Sequence, residues 1–334
     1  MTTHGDPILR RDRFSELAGG FRQSSVILTA NQLGIFKRLS ESPTDLETMA
    51  EKLKLSKHGL DKLMNALTAM DLIRKQNDLY ELHGDAEEFL KEGSEYYLGD
   101  IFRHNFQLLK RWVNLDEAVR LGHSPFLEER KRGRSQEDLR AFILGMENIS
   151  RTVSRELADV LSFEGVKRIL DLGGGPGTYL YTFLRHAPDS TGVLLDFPPV
   201  IEIAREQAEK QDMLNRVEFI GGDMLEADYG TGYDLIYLGN IIHSFGEEGI
   251  KKVFNRSAEA LNPGGRLVVK DFFLDETGTR PLHAALFALN MLIGTGEGSA
   301  YRWIDTRRWM EGAGFEIVQS FKVARHSGVI VGRK

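Results

Sequence analysis

Three consecutive glycines stand between an apolar run and a proline in ILDLGGGPGTY, residues 169–179. A turn of such bare backbone between a strand and a helix is typical of βαβ units that bind a nucleotide-containing ligand. Its spacing is Asp171-x-Gly173-x-Gly175-x-Gly177, and Pro176 stiffens the turn. This stretch therefore predicts an α/β domain whose first strand ends at a ligand-binding turn.

Short β-branched apolar runs alternate with helical stretches from residue 166 onward. These runs are VKRILDLG, TGVLLDF, VEFIGGD, YDLIYLGN, GRLVVKDF, FEIVQSFKV and SGVIVGRK. The alternation predicts a Rossmann-like, doubly wound, mostly parallel sheet that ends in an antiparallel C-terminal hairpin. Ligands of such sheets bind beyond the carboxyl ends of the strands. That edge carries Asp171, Asp196, Asp223, His243 and Asp271.

The glycine turn favours S-adenosyl-L-methionine over a dinucleotide. The dinucleotide fingerprint needs a third glycine or alanine, and Thr178 stands in that place. The helix N-terminus after the turn can accept the carboxylate of a methionine moiety as well as a pyrophosphate. Asp171 suits a cationic amino group and would repel a diphosphate.

Two more strand ends supply groups that fit the same cofactor. Asp196 can accept from both ribose hydroxyls, and Asp223 can accept from the adenine amine. Met224 can cover the adenine face. A single aspartate at a strand end commonly caps a helix, but three at successive strand ends after this turn indicate a site. The predicted cofactor residues are Asp171, Gly173, Gly175, Gly177, Asp196, Phe197, Gly222, Asp223, Met224 and Gly239.

Residues 45–82 have the pattern of a winged helix. Two amphipathic helices, the second with Ser56 as its N-cap, precede a short hairpin that turns at Asn77-Asp78. Residues 1–100 contain 13 basic and 17 acidic side chains, and the would-be recognition helix offers only Lys57 and Lys62. So few cations favour a dimerisation scaffold over a DNA-binding one. The apolar stretch 24–39 is the expected dimer surface.

The chain is expected to comprise three segments. These are a winged-helix dimerisation domain at 1–100, a helical linker at 101–160 and a cofactor-binding catalytic domain at 161–334. Apolar residues at three-to-four spacing, from Phe102 to Leu115 and from Phe142 to Val153, predict the linker helices.

Composition excludes several classes of function. The 334 residues carry a net charge of −6, which gives no general attraction to nucleic acid or to an anionic membrane. The absence of cysteine excludes disulfides, thiolate nucleophiles and Cys-ligated zinc. The N-terminal sequence MTTHGDPILRRDRF has no signal-type apolar run, and no long uncharged apolar stretch follows. Cytoplasmic residence, no nucleic-acid or membrane partner and no metal site are the expectations.

The ordered motifs resemble those of the class I S-adenosylmethionine-dependent small-molecule O-methyltransferases that include the caffeate and acetylserotonin enzymes. The resemblance spans nearly the whole chain. It includes the winged helix, DLGGGPG, LLDFPPVI, GGDM, IIHSFGEEG, LNPGGRLVVKDF and GAGF. It implies a homodimer formed through the N-terminal domain, and methyl transfer to a hydroxyl of a small aromatic molecule with release of S-adenosyl-L-homocysteine.

The same resemblance implies the catalytic residues. His243 corresponds to the family's general base, and a neutral imidazole can take a phenolic proton at physiological pH. Asp271 corresponds to an acid that orients the ring and stabilises its protonated form. The acceptor is expected between the linker helices and the helix at 281–296. Its implied contacts are Phe106, Trp112, Met146, Phe287, Asn290 and Met291.

Three departures from the family pattern leave alternatives open. Ser244 follows the histidine where an aspartate is usual, and Gly239 stands where many members carry a lysine. The second acidic partner is missing near Ala300 and Tyr301, although Glu297 is nearby. The alternatives are C-methylation of an activated ring carbon, as in tetrapyrroles or quinols, a cofactor-binding scaffold without activity, and a ligand-sensing DNA-binding regulator.

Overall fold

The computed structural model describes residues 7–131, 133 and 135–334. Residues 1–6, which begin the N-terminal sequence expected to lack a signal-type run, lie outside the described residues. The chain forms two compact units, of which the first ends at Lys110 and the second runs from Arg111 to Lys334. The helices expected as a linker therefore belong, from Arg111 onward, to the second unit.

The first unit is mainly helical with one small sheet. Its elements are α1 (Pro7–Gly19), α2 (Phe21–Gln32), α3 (Ile35–Glu41), β1 (Thr44–Asp45), α4 (Leu46–Leu53), α5 (Lys57–Ala69), β2 (Ile73–Gln76), β3 (Leu79–Leu82), α6 (Ala86–Phe89) and α7 (Gly99–Trp112), which continues past Lys110. The strands form an antiparallel sheet in the order β1-β3-β2. This is the helix, helix and wing arrangement that the sequence predicted.

Local sequence signals account for this arrangement. The Ser56 hydroxyl accepts a hydrogen bond from the Gly59 N–H and caps α5. Asn77 and Asp78 both have positive φ angles, which close the tight turn between β2 and β3. The predicted apolar faces of α4 and α5 pack into one core with Ile35, Phe36 and other residues of α2 and α3.

Much of the apolar stretch at 24–39, which was expected to form the dimer surface, is buried in the core of the unit. Ile35, Phe36 and Leu39 are buried within the unit, because α3 packs into the winged-helix core. The large apolar side chains of this unit that are more than half exposed lie on α1 and at the start of α2. They are Ile8, Phe14, Leu17 and Phe21, each more than half exposed.

The two lysines of α5 both have acidic partners. Lys57 pairs with Glu47, and the Lys62 ammonium lies 3.0 Å from an Asp61 carboxylate oxygen. Pairing reduces the small positive charge that this helix could offer to phosphate groups.

The second unit contains the remaining helices and a large sheet. Its elements are α8 (Leu115–Leu121), α9 (Leu127–Lys131), α10 (Gln136–Val160), β4 (Arg168–Leu172), α11 (Thr178–His186), β5 (Thr191–Asp196), α12 (Pro198–Lys210), β6 (Val217–Gly221), β7 (Tyr233–Gly239), α13 (Glu247–Ala260), β8 (Leu261–Asp271), α14 (Leu282–Gly294), α15 (Trp303–Gly312), β9 (Glu316–Val323) and β10 (Ser327–Arg333). Short 3-10 turns occupy Leu214–Arg216 and Ile242–Ser244.

The seven strands follow the order β6-β5-β4-β7-β8-β10-β9. The first five are parallel, while β10 inserts between β8 and β9 and is antiparallel to both. The predicted fold class is confirmed. Strand β8 begins at Leu261, earlier than the apolar run suggested, because Leu261 pairs with Tyr233 ahead of a register shift.

Both faces of the sheet are covered, as the continuous apolar strands require. One cluster of buried residues joins α10, α11 and α12 to the face that carries Ile169, Tyr237 and Val268. The other joins α13 and α15 to the opposite face. The described residues include no helix that is both long and apolar enough to cross a membrane.

Candidate active site

The site lies where the strand order reverses. From β4 the chain proceeds to β5 on one side, while β7 pairs with β4 on the other. Crevices at such reversals receive ligands because the loops leaving the two strands diverge. The glycine turn follows β4, and the segment that carries His243 follows β7.

Glycine is required at two positions of the turn for different reasons. Gly173 and Gly177 have φ angles of 68° and 83°, which other residues rarely adopt. A Cβ atom at Gly173 would lie 2.3 Å from Cδ1 of Ile241, and one at Gly177 would lie 2.1 Å from the Tyr181 ring. The turn therefore packs directly on the segment that precedes His243.

Asp171 is a buried carboxyl group beside this turn. It is 2% exposed, and its Oδ2 atom has no hydrogen-bond partner among the residues that the structure describes. Burial, followed by the neighbouring charge of Asp196, raises the pKa of Asp171 to about 8. A carboxyl group in this state is suited to pair with a cation.

The other predicted cofactor residues lie around the same turn. Asp196 accepts hydrogen bonds from the N–H groups of Gly175 at 2.9 Å and Phe197 at 2.7 Å, and its pKa is raised by burial. The Gly222 N–H donates to the Asp196 carbonyl at 2.9 Å. Asp196 thus connects the glycine turn to the loop after β6.

Asp223 and Met224 differ in exposure. Asp223 is exposed, and one of its carboxylate oxygens accepts from the Leu225 N–H at 2.9 Å. Met224 is buried, and its Cε atom lies 3.0 Å from where a Cβ of Gly173 would be. Met224 therefore packs beneath the turn, and its expected contact with the adenine stays a prediction.

His243 and Asp271 form a hydrogen-bonded pair. Nδ1 of His243 lies 2.8 Å from Oδ1 of Asp271, which also accepts the Phe272 N–H at 2.8 Å. Burial acts to raise the pKa of Asp271, but His243 and the Phe272 N–H outweigh it, so that this pKa lies below its ordinary value. An ionised Asp271 accepts a hydrogen bond from the protonated Nδ1 of His243, which leaves Nε2 as the basic nitrogen.

Lys270 is a site residue that the sequence reasoning missed. Its side chain is 2% exposed, and its ammonium donates to Oδ1 of Asn240 at 2.9 Å. Burial lowers the pKa of Lys270 to about 8, against the charge of Asp271. The sequence feature that indicates Lys270 is a single lysine in the apolar run LVVKDF. In the structure both neighbours of this lysine are buried.

Gly239 is explained by the ring of Tyr237. A Cβ atom at Gly239 would lie 2.4 Å from the Tyr237 hydroxyl oxygen, because both residues face the same side of β7. The Tyr237 ring therefore fills the space beside Gly239. Lys270, which pairs with Gly239 across the β7–β8 ladder, places the buried cation on the adjacent strand instead.

The structure brings several predicted acceptor residues together. The Phe287 ring meets His243 edge-on with centroids 4.8 Å apart. The Trp112 indole N–H donates to Oδ1 of Asn290 at 3.1 Å. The Asn290 amide, on the otherwise apolar helix α14, therefore has a partner within the protein. Met291 is buried on α14, and Met146 is half-buried on α10.

Phe106 belongs to the first unit. Its ring is half-buried, and the Lys110 ammonium lies 4.7 Å from its centroid. Its expected contact with the acceptor stays a prediction, as do those of Trp112, Met146, Phe287, Asn290 and Met291.

The region of the missing second acid is apolar. Ala300 is 6% exposed in a cluster that includes Phe287. The Glu297 carboxylate lies beside Gly246, and the Tyr301 hydroxyl donates to the Phe245 carbonyl. Tyr301 thus fixes the chain just after His243. Within the described ranges, no three His, Asp or Glu side chains are grouped to hold a metal ion.

Two family models match the chain. The model of an O-methyltransferase domain matches residues 109–316, and that of an O-methyltransferase dimerisation domain matches residues 15–92. Among similar proteins, 3-hydroxy-5-methyl-1-naphthoate 3-O-methyltransferase of Streptomyces sahachiroi is 28% identical over 96% of this chain and 94% of its own. Acetylserotonin O-methyltransferase of Gallus gallus is 26% identical, with 96% of each chain covered.

A solved structure has the same fold. Human N-acetylserotonin methyltransferase in complex with SAM superposes with a TM-score of 0.89, covering 100% of this chain and 99% of that one at 23% identity.

Proposed function

Because this chain belongs to the S-adenosylmethionine-dependent O-methyltransferase family, we propose that it methylates a hydroxyl group of a small aromatic molecule, with His243 as general base. The observation that carries the proposal is the 2.8 Å contact between His243 and Asp271, beside the glycine turn. It supplies a base at the edge of the sheet where the cofactor is expected.

The residues around the glycine turn fit the cofactor. The unpartnered Oδ2 of Asp171 suits the ammonium of the methionine moiety. The glycines of the turn, which carry no side chains, leave room for the amino-acid portion of that moiety. Each Asp196 oxygen already accepts one N–H and keeps a lone pair for a ribose hydroxyl. When bound, the cofactor supplies an electrophilic methyl group on a sulfonium.

His243 would take the acceptor's proton. Asp271 holds Nδ1–H, so that Nε2 can accept a hydrogen bond from the hydroxyl group. The O–H bond would break as the oxygen gains its bond to the methyl carbon, and the carbon–sulfur bond would break to leave S-adenosylhomocysteine. The proton then resides on Nε2, and Asp271 stabilises the imidazolium. Positioning of the acceptor in line with the methyl group supplies much of the remaining acceleration.

An aromatic acceptor agrees with the side chains near the histidine. The Phe287 edge lies against His243, and Phe272 meets Phe287 with centroids 4.7 Å apart. The helix that carries Phe287 also bears Asn290 and Met291. Such a surface favours a flat apolar molecule with a hydroxyl near Nε2. By their names, two of the similar proteins act on a hydroxynaphthoate and on acetylserotonin.

The proposal includes a homodimer formed through the first unit. The match to an O-methyltransferase dimerisation domain and the exposed apolar side chains of α1 both favour it. Apolar side chains that protrude in a row are commonly covered by a partner.

The direct test combines cofactor binding with methyl transfer. Wild type and His243→Ala are titrated with S-adenosylhomocysteine by calorimetry and incubated with labelled S-adenosylmethionine and a panel of phenols, indoles, quinols and tetrapyrroles. We expect both proteins to bind the product, and only wild type to methylate a phenol efficiently. Methylation of a ring carbon, or equal activity of both proteins, would contradict the proposal.

A further inference from the structure

Lys270 is a buried ammonium in a strand that is otherwise apolar. Val268 and Val269 before it are fully buried, on opposite faces of β8, and Lys270 itself is 2% exposed. Burying a charged group is unfavourable unless the group is hydrogen-bonded. A lysine at this position therefore needs a hydrogen-bond acceptor, whereas an aliphatic residue would need none.

That partner is Asn240, the first residue after β7. The Lys270 ammonium donates to Oδ1 of Asn240 at 2.9 Å, and the Asn240 N–H donates to the Lys270 carbonyl at 2.8 Å. Asn240 has a φ angle of 60°, a conformation that asparagine tolerates better than most residues. Two hydrogen bonds between the same two residues fix the direction in which the chain leaves β7.

The short segment from Asn240 to His243 is held at both ends by adjacent residues of β8. Lys270 holds Asn240, and Asp271 holds the His243 ring at 2.8 Å. Neighbouring residues of a strand face opposite sides of the sheet, so Lys270 and Asp271 hold the segment from opposite sides. Between them, Ile241 packs against the glycine turn at Gly173.

The surroundings of Lys270 argue against direct contact with an acceptor. Its ammonium lies 5.5 Å from the Tyr179 ring centroid and 5.7 Å from that of Phe272. Tyr179 is itself buried in the first turn of α11. The side chain is thus enclosed between β8 and α11, and its one described hydrogen bond leads to the segment that carries the histidine.

We propose that Lys270 is a positioning residue for methyl transfer, which acts through Asn240 to hold His243 in the geometry that accepts the proton. The inference rests on the proposed role of His243. Lys270 touches neither the proton nor the methyl group. Its removal leaves Asn240 without its donor, and the Asn240–His243 segment gains freedom to move.

The first measurement needs no acceptor. Hydrogen exchange is followed at the amides of Ser244 and Phe245, which donate to the Ile241 and Ile242 carbonyls. Lys270→Met and Asn240→Gly each remove the side-chain hydrogen bond, and glycine keeps the positive φ. We expect exchange about tenfold faster in both variants and no further increase in the double variant. Asn240→Asp keeps an acceptor and should stay protected.

The matched control is Lys251→Met. Lys251 is a partly exposed lysine on α13 that pairs with Glu247 and Glu248, so its loss should leave exchange at Ser244 unchanged. Unchanged exchange in Lys270→Met, or additive increases in the double variant, would overturn the proposal. If Lys270→Met does not fold, as judged by circular dichroism, the comparison of Asn240→Gly with Asn240→Asp decides alone.

The second measurement links the anchor to catalysis. With a phenol that the panel yields, Lys270→Met should lower kcat roughly 10- to 100-fold and change KM little. In a His243→Ala background the same substitution should have no further effect, because its route is already removed. Equal losses in both backgrounds would show that Lys270 acts elsewhere. If His243→Ala is itself fully active, the general-base proposal fails, while the exchange result still judges the anchor.

Discussion

At the scale of single residues, Asp171 combines a cost in stability with a proposed role in cofactor binding. Its pKa is about 8 in the folded protein, against an ordinary value of 3.8. Between these values the folded state keeps a proton that the unfolded chain has released. The free energy of unfolding therefore falls as pH rises from about 4 to about 8. A cation beside the unpartnered oxygen would remove that cost.

We therefore expect Asp171→Asn to be more stable and to bind more weakly. At pH 7 the free energy of unfolding in urea should rise by up to about 4 kcal/mol, since an amide needs no proton. The dissociation constant of S-adenosylhomocysteine should rise about tenfold or more. Asp234→Asn is the control of opposite sign, because Asp234 accepts the Lys167 N–H at 2.8 Å and its pKa is lowered. Tight binding by Asp171→Asn would refute its role.

Asp271 offers a second prediction at this scale. In Asp271→Asn the amide can donate to Nδ1 of His243, which places the proton on Nε2 and removes the base. We expect kcat to fall roughly 10²–10⁴-fold while S-adenosylhomocysteine binds as before. Glu297→Gln serves as the control, because its carboxylate lies beside Gly246. If Glu297→Gln were the more damaging change, Glu297 would be the orienting acid instead.

The sequence predicted residue types at strand ends better than side-chain directions. Asp171, Asp196 and Asp271 could be placed because a residue at the end of a buried strand must lie at the carboxyl edge of the sheet. That Lys270 bonds Asn240, or that Tyr237 covers Gly239, depends on register between strands, which one sequence does not specify. The partner of Asn290 was missed for a related reason, since Trp112 is 178 residues away.

At the scale of elements, the glycine turn and the histidine segment behave as one packed unit. Gly173→Ala would force a side chain into a positive φ and against Cδ1 of Ile241. We expect a loss of about 2–4 kcal/mol in unfolding free energy, together with weaker product binding. Urea denaturation monitored by circular dichroism measures the first quantity.

A double-mutant cycle separates strain from clash. Ile241→Ala removes the atom that a Cβ at Gly173 would meet, so Gly173→Ala should cost about 1–2 kcal/mol less in that background. Fully additive losses would mean that the turn and the histidine segment are not in contact.

The strands themselves were predictable, because β4, β5 and β7 are apolar on both faces and bounded by turns. The start of β8 was not, since Leu261 joins the ladder ahead of a proline and two glycines.

At the scale of the whole molecule, the first unit was recognisable from its helix, helix and wing pattern, but its exposed surface was not. The sequence of α1, with three arginines among its residues, lacks the strong apolar stripe that marked 24–39. Folding buries the richer stripe in the unit's own core and leaves Phe14, Leu17 and Phe21 exposed. Phe14 and Leu17, three residues apart, lie on one side of α1, and Phe21 begins the next helix.

If this row is the dimer surface, replacing Phe14 and Leu17 with glutamate should convert the protein to a monomer. Two carboxylates at the centre of an apolar contact would have to be desolvated without a partner, which raises the dissociation constant by about 100-fold or more. Light scattering coupled to size exclusion measures the mass. Val160→Glu is the control, because Val160 is 55% exposed in the second unit. A dimer that persists in Phe14→Glu/Leu17→Glu, or one that is lost in Val160→Glu, would assign the contact to another surface.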